Sequence, residues 1–71
     1  MSASSSITVN GEARDLAERA VREIVEHEGL DPERRGLAVA VDGAVVPRRD
    51  WATTHVPAGG QVEIVKPFAG G

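Results

Sequence analysis

Gln61-Val62-Glu63-Ile64-Val65-Lys66-Pro67-Phe68-Ala69-Gly70-Gly71 ends the sequence and reads as a β-strand running directly into a terminal Gly-Gly. Val62 and Ile64 fall on one face of that strand and Glu63 and Val65 on the other, the period of two that a half-buried strand shows. The two glycines carry no Cβ, reach backbone conformations closed to other residues, and make a thread thin enough to enter a narrow cleft in another protein. The Gly71 carboxylate is the group such a thread delivers. A glycine-rich end is equally the composition of a loose terminus, so its meaning depends on what precedes it.

Working backwards, Pro57-Ala58-Gly59-Gly60 is turn chemistry leading into the last strand, and Arg48-Arg49-Asp50-Trp51-Ala52 is a connector long enough for one helical turn. Before it, Leu37-Ala38-Val39-Ala40-Val41 alternates so that Leu37, Val39 and Val41 share one face and two small alanines the other. Asp42-Gly43 is a hairpin turn, and Ala44-Val45-Val46 is the return strand, stopped by Pro47, which has no N–H for a ladder. The first strands follow the same logic: Ile7-Thr8-Val9 alternates, Asn10-Gly11 suits a type I′ turn with two positive φ angles, and a second arm begins at Glu12.

Asp15 followed by Glu18 fits a helix cap, which places the expected helix start between those two residues. Leu16, Ala17, Ala20, Val21, Ile24 and Val25 then recur on one helical face, while Glu18 with Arg22 and Arg19 with Glu23 form i,i+4 pairs on the other. Gly29 suits the left-handed position just past a helix, Leu30 can fold back onto Val25, and Asp31-Pro32 blocks continuation. The predicted shared core is Val21, Ile24, Val39, Val41, Val62 and Ile64.

Seventy-one residues make one small domain, with residues 1–6 a Ser-rich disordered lead-in, 7–67 the folded unit and 68–71 a flexible tail. Such a chain buries only about 60% of its unfolded surface, which argues against a large enzyme pocket. The absence of cysteine removes disulfides, a thiol nucleophile and thiolate metal sites. A net charge of −3 opposes the phosphate neutralisation that nucleic-acid binding needs, and two aromatic residues, Trp51 and Phe68, give no stacking platform. No apolar run approaches membrane-helix length and no signal peptide is visible, so the expected location is cytoplasmic. His27 and His55, with Glu26 and Glu28 nearby, read as surface residues, and no metal is assigned. Arg34-Arg35 and Arg48-Arg49 read as solvated surface, and Trp51 as a partly buried core cap.

The order strand, strand, helix, strand, strand, strand gives one helix to cover one face of one sheet, an α+β layering. The small fold with this order is the ubiquitin-like β-grasp, a mixed sheet of four to five strands with one covering helix; that fold implies parallel first and last strands. Ala38, Ala40, Val65 and Phe68 are phased away from the core and together leave a small apolar patch beside the tail exit, the kind of surface that often marks a partner site.

Val41-Asp42-Gly43-Ala44-Val45-Val46-Pro47-Arg48-Arg49-Asp50-Trp51, then Gln61 to Val65, then Gly70-Gly71, resemble the ThiS family of sulfur carriers of thiamine biosynthesis. The most specific signal is Gly-x-Val-Val-Pro-Arg followed closely by Trp51, combined with the strand leading into Gly-Gly. The resemblance covers nearly everything from Ile7 onward. It implies that the chain is a carrier rather than an enzyme, with no bound cofactor. An adenylyltransferase partner, ThiF, would consume ATP to adenylate Gly71, a sulfur donor protein would convert the adenylate to a thiocarboxylate, and thiazole synthase, ThiG, would accept the sulfur. Gly70, Ala69 and Phe68 would form the tail that reaches those sites. A molybdopterin-synthase small subunit of the MoaD kind and a ubiquitin-like protein modifier are the alternatives, and the Val-Val-Pro-Arg and Trp51 signature favours the thiamine branch.

Overall fold

The computed structural model describes residues 6–66, so the expectations placed on the lead-in before Ser6 and on Phe68, Ala69, Gly70 and Gly71 lie outside the described residues. Strand β1, Ile7–Val9, turns through Asn10-Gly11 into β2, Glu12–Arg14. Helix α1 is Val21–His27, β3 is Ala38–Val41 and β4 is Ala44–Val45; one 3-10 turn at Arg48–Asp50 precedes β5, Gln61–Val65. The five strands form one sheet in the order β2-β1-β5-β3-β4. Its central pair, β1 with β5, is parallel, with Val9 opposite Val62. The pairs β1 with β2, β3 with β4 and β3 with β5 are antiparallel. This is the ubiquitin-like β-grasp arrangement expected from the element order.

Both hairpin turns form as their dipeptides dictate. Asn10 and Gly11 take φ of 52° and 85°, and Asp42 and Gly43 take 50° and 86°, the two successive positive angles of a type I′ turn, whose twist matches that of the flanking strands. The Asp42 carboxylate also accepts from the Gln61 N–H at 2.9 Å, tying that turn to the start of β5.

The helix starts later than its sequence suggests. Glu18 has a φ of 68°, which no right-handed helix contains, and Ala20 in extended conformation is the residue before the first turn. The cause is distant in sequence. The segment from Trp51 to Val56 runs past this region, and its carbonyls take the N–H groups that a helix would use: Glu18 donates to Val56 O at 2.6 Å, Val21 to Thr54 O at 2.8 Å and Arg22 to Trp51 O at 3.0 Å. Ala20 and His55 form an isolated antiparallel bridge. Capping is thus supplied by another loop, where a side chain would otherwise serve. Ala20 has no side-chain acceptor, so only the returning half of a capping box exists, Glu23 accepting from the Ala20 N–H at 3.3 Å.

Two expected ion pairs fall with that correction. Glu18 lies outside the helix and Glu23 turns back to the cap, and Arg22 instead meets Glu33 at 3.0 Å and Glu26 at 3.8 Å. The far end behaves as read: Leu30 N–H donates to Val25 O and Gly29 N–H to Glu26 O, the paired bonds of a Schellman motif, with Gly29 at φ 82°.

A seven-residue helix does not persist alone in water. Here Val21, Ile24 and Val25 are fully buried against Ile7 and Val9 of β1, Val39 of β3, and Val62 and Ile64 of β5. Val41 is half-buried at the margin of this core. Leu16, expected on the helix, reaches the core from the preceding turn. Trp51 is more enclosed than its reading as a partial cap: it is 3% exposed, and its indole N–H donates to Val46 O at 2.9 Å.

Gly60 shows how close the packing is at the entrance to β5. A Cβ there would stand 2.6 Å from Val56 Cγ1 and 3.0 Å from the Pro57 carbonyl oxygen, and Val56 is itself completely buried. Gly60→Ala should therefore cost about 1–3 kcal/mol through overpacking, read as a lower denaturation midpoint. An unchanged midpoint would contradict the tight contact.

Candidate functional site

The helix covers one face of the sheet, and no element among the described residues covers the other. On that open face the antiparallel register of β3 with β5 sets Ala38 opposite Val65 and Ala40 opposite Glu63, while Ala40 also lies opposite Val45 of β4. Ala38 is exposed, Ala40 half-buried, and Val65 is 62% exposed. The three described residues of the predicted patch are therefore brought together, and Phe68 lies outside the described residues.

Val45, 74% exposed, belongs to the same surface and was not phased in the sequence reading. The signal was present. A two-residue Asp42-Gly43 turn makes Val41 and Ala44 partners, so Val45 must pair with Ala40 and share its face. Val45 and Val65 are the large hydrophobic side chains left exposed among the described residues, and both stand on this open face.

The patch borders the point where the chain leaves the sheet. Strand β5 outruns β1: the last main-chain bond between them is Asn10 N–H to Val62 O at 2.8 Å. Beyond it the Asn10 side chain takes over, its Oδ1 accepting from Ile64 N–H at 2.8 Å and its Nδ2 donating to Ile64 O at 3.2 Å. Beside this contact lies a cleft of about 60 Å³ lined by Asn10, Glu28, Leu30, Ile64 and Lys66. That volume holds water molecules, not an organic substrate, whose pockets run to several hundred Å³. Arg14 braces its wall, meeting Glu28 and Glu12 at 3.0 Å each. The hydrogen bond to Glu28, then that to Glu12, raises the Arg14 pKa above its ordinary value.

The other polar candidates have structural explanations. Arg48 lies over the Trp51 ring, 4.5 Å from its centroid, and donates to the carbonyl oxygens of Pro32 and Arg34, which lashes the connection after α1 to the core. Arg34, Arg35 and Arg49 are exposed. His27 and His55 are exposed as well, and among the described residues no group of three or more His, Cys, Asp or Glu gathers as a metal site. No helix among the described residues is long and apolar enough to cross a membrane.

Among the described residues, a five-stranded sheet with a parallel β1–β5 pair and one covering helix defines a ubiquitin-like β-grasp domain. The chain belongs to the ThiS family, whose model matches residues 7–71. Among solved structures it is similar to the thiamine biosynthesis protein ThiS from Geobacter metallireducens, at 29% identity and a TM-score of 0.72 over 93% of this chain and 99% of that one. No curated protein matches the chain.

Proposed function

We propose that this chain is a sulfur carrier of thiamine biosynthesis, with the Gly71 carboxylate as the carrying group. A carboxylate is a poor electrophile, because its carbonyl is resonance-stabilised and oxide does not leave. Activation therefore comes first. A carboxylate oxygen attacks the α-phosphorus of ATP on an adenylyltransferase of the ThiF kind, pyrophosphate leaves, and the chain ends in an acyl-adenylate. Hydrosulfide supplied by a sulfur donor protein then attacks the acyl carbon, the acyl–oxygen bond breaks and AMP departs, leaving a thiocarboxylate for a thiazole synthase of the ThiG kind. In this reading the chain is a carrier and not a catalyst, and ATP is consumed by its partner. Gly70, Ala69 and Phe68 supply the reach, and Ala38, Ala40, Val45 and Val65 supply the docking face.

The observation that carries the proposal is the ThiS-family match extending through Gly71. The chemistry suits a small domain: its described cleft is too small for a substrate, while partner active sites offer the positioning and desolvation that acyl transfer needs. The test is reconstitution. The chain, charged with ATP, the activating enzyme and a sulfur source, should support thiazole formation by thiazole synthase. Failure there, with sulfur passed instead to a molybdopterin precursor or with the chain linked to lysines of other proteins, would overturn it.

The docking face has its own expected result. Val65 is largely solvent-exposed, so Val65→Glu should leave the fold within about 0.5 kcal/mol. Burying a new carboxylate in an apolar contact should weaken binding to the activating enzyme by about tenfold or more. Equal affinity by titration calorimetry would remove this face from the interaction.

A further inference from the structure

We propose that Asn10 is a positioning residue for the C-terminal carboxylate: its carboxamide closes the parallel ladder at Ile64 and so fixes where, and in which direction, the end of the chain leaves the sheet. The delivery half of this inference rests on the carrier reading above; the anchoring half does not.

Strand β1 ends at Val9 and turns away at Asn10-Gly11, while β5 continues to Val65. Past Val62, no main chain among the described residues lies on the β1 side to receive the polar groups of Ile64. Asn10 replaces it. A carboxamide carries the same donor and acceptor as a peptide group, and it offers both to one residue, at 2.8 and 3.2 Å. Ile64 is 5% exposed and both bonds are part-buried, so without this contact its N–H and C=O would lose their protein partner on the β1 side. On the opposite edge Ile64 and Val65 pair with Val39 and Ala38 of β3. Asn10 is what makes the hold two-sided.

The residue choice is narrow. The position takes a φ of 52°, which asparagine tolerates better than most side chains, and it needs a short group that both donates and accepts. Aspartate only accepts, and glycine offers neither. The last described residue, Lys66, follows Ile64 by two positions, and the five residues after it span at most about 18 Å when extended. The reach of the carboxylate is counted from this anchor. If Ile64 is held on one edge alone, the end of β5 frays, the tether lengthens, and the carboxylate meets its attack geometry less often.

The test compares the full-length chain with Asn10→Gly, which removes the carboxamide without straining the turn, and with Asn10→Asp, which keeps only the acceptor. Ile24→Val, a mild core truncation remote from Asn10, controls for lost stability. In the free protein, hydrogen exchange of the Ile64 amide relative to the other sheet amides should accelerate on the order of tenfold or more in Asn10→Gly, less in Asn10→Asp, and not in Ile24→Val. In ATP–pyrophosphate exchange with the activating enzyme, kcat should fall about tenfold for Asn10→Gly, with KM within about twofold because the docking face is untouched. Ile24→Val should keep both constants. Unchanged relative Ile64 exchange in Asn10→Gly, or in Asn10→Asp should the glycine variant fail to fold, overturns the anchoring. Faster Ile64 exchange with kcat unchanged overturns the positioning role. A wild-type chain that is not a substrate overturns the carrier reading and the delivery half with it, while the amide result stands on its own.

Discussion

Gly70→Ala is expected to bring adenylation of the chain close to background while leaving its thermal melt in place. The two halves of that result rest on different physics. Gly70 is no part of the core that the described residues form, and substitutions away from packed features usually stay within about 0.5 kcal/mol. In a partner channel shaped for a thread without Cβ atoms, the added methyl displaces the terminal carboxylate, and a displacement of about 1 Å from attack geometry can cost on the order of a hundredfold in rate. A form lacking Gly71 should behave alike, because the carboxylate then falls one residue short. ATP–pyrophosphate exchange with the activating enzyme, run beside melts of all three forms, checks this. Wild-type exchange from Gly70→Ala would contradict the narrow channel, and exchange surviving loss of Gly71 would contradict this carboxylate as the reacting group.

The second large effect concerns the fold itself. Ile24 is completely buried at the centre of α1, facing the strands. Ile24→Ala should cost about 2–5 kcal/mol, the transfer free energy of the lost methyl groups plus the cavity they leave. Domains are stable by only about 5–15 kcal/mol, and small ones lie at the low end. The variant is therefore expected to be partly unfolded at physiological temperature. Urea titration measures the shift directly, and a midpoint within error of wild type would contradict the packing of α1 on the sheet.

The parts of this molecule that were legible in its sequence are those whose causes are local. Asn10-Gly11 and Asp42-Gly43 specify their own turns, and alternation alone separates buried Val62 and Ile64 from exposed Glu63 and Val65. That Ala38, Ala40 and Val65 share the outer face followed from the same alternation, short of Val45, whose phase required carrying the register through the turn. The helix start was illegible because its decisive hydrogen bonds come from Trp51, Thr54 and Val56, 29 to 38 positions downstream of the residues they cap. Local capping chemistry at Asp15 and Glu18 pointed elsewhere and lost to that loop. The second role of Asn10 was hidden for the same reason: the dipeptide announces the turn, but nothing near it announces a partner 54 residues away at Ile64. Gly60 likewise reads as turn chemistry, although its constraint is the buried Val56 side chain.

The central claim, that sulfur travels on the end of this chain, is tested most directly by the mass of the protein taken from the cells that make it. The account predicts a population heavier than the encoded chain by the difference between one sulfur and one oxygen atom, with the added mass confined to the fragment that contains Gly71. A chain that carries only oxygen at Gly71, even after incubation with ATP, the activating enzyme and a sulfur donor, would contradict it.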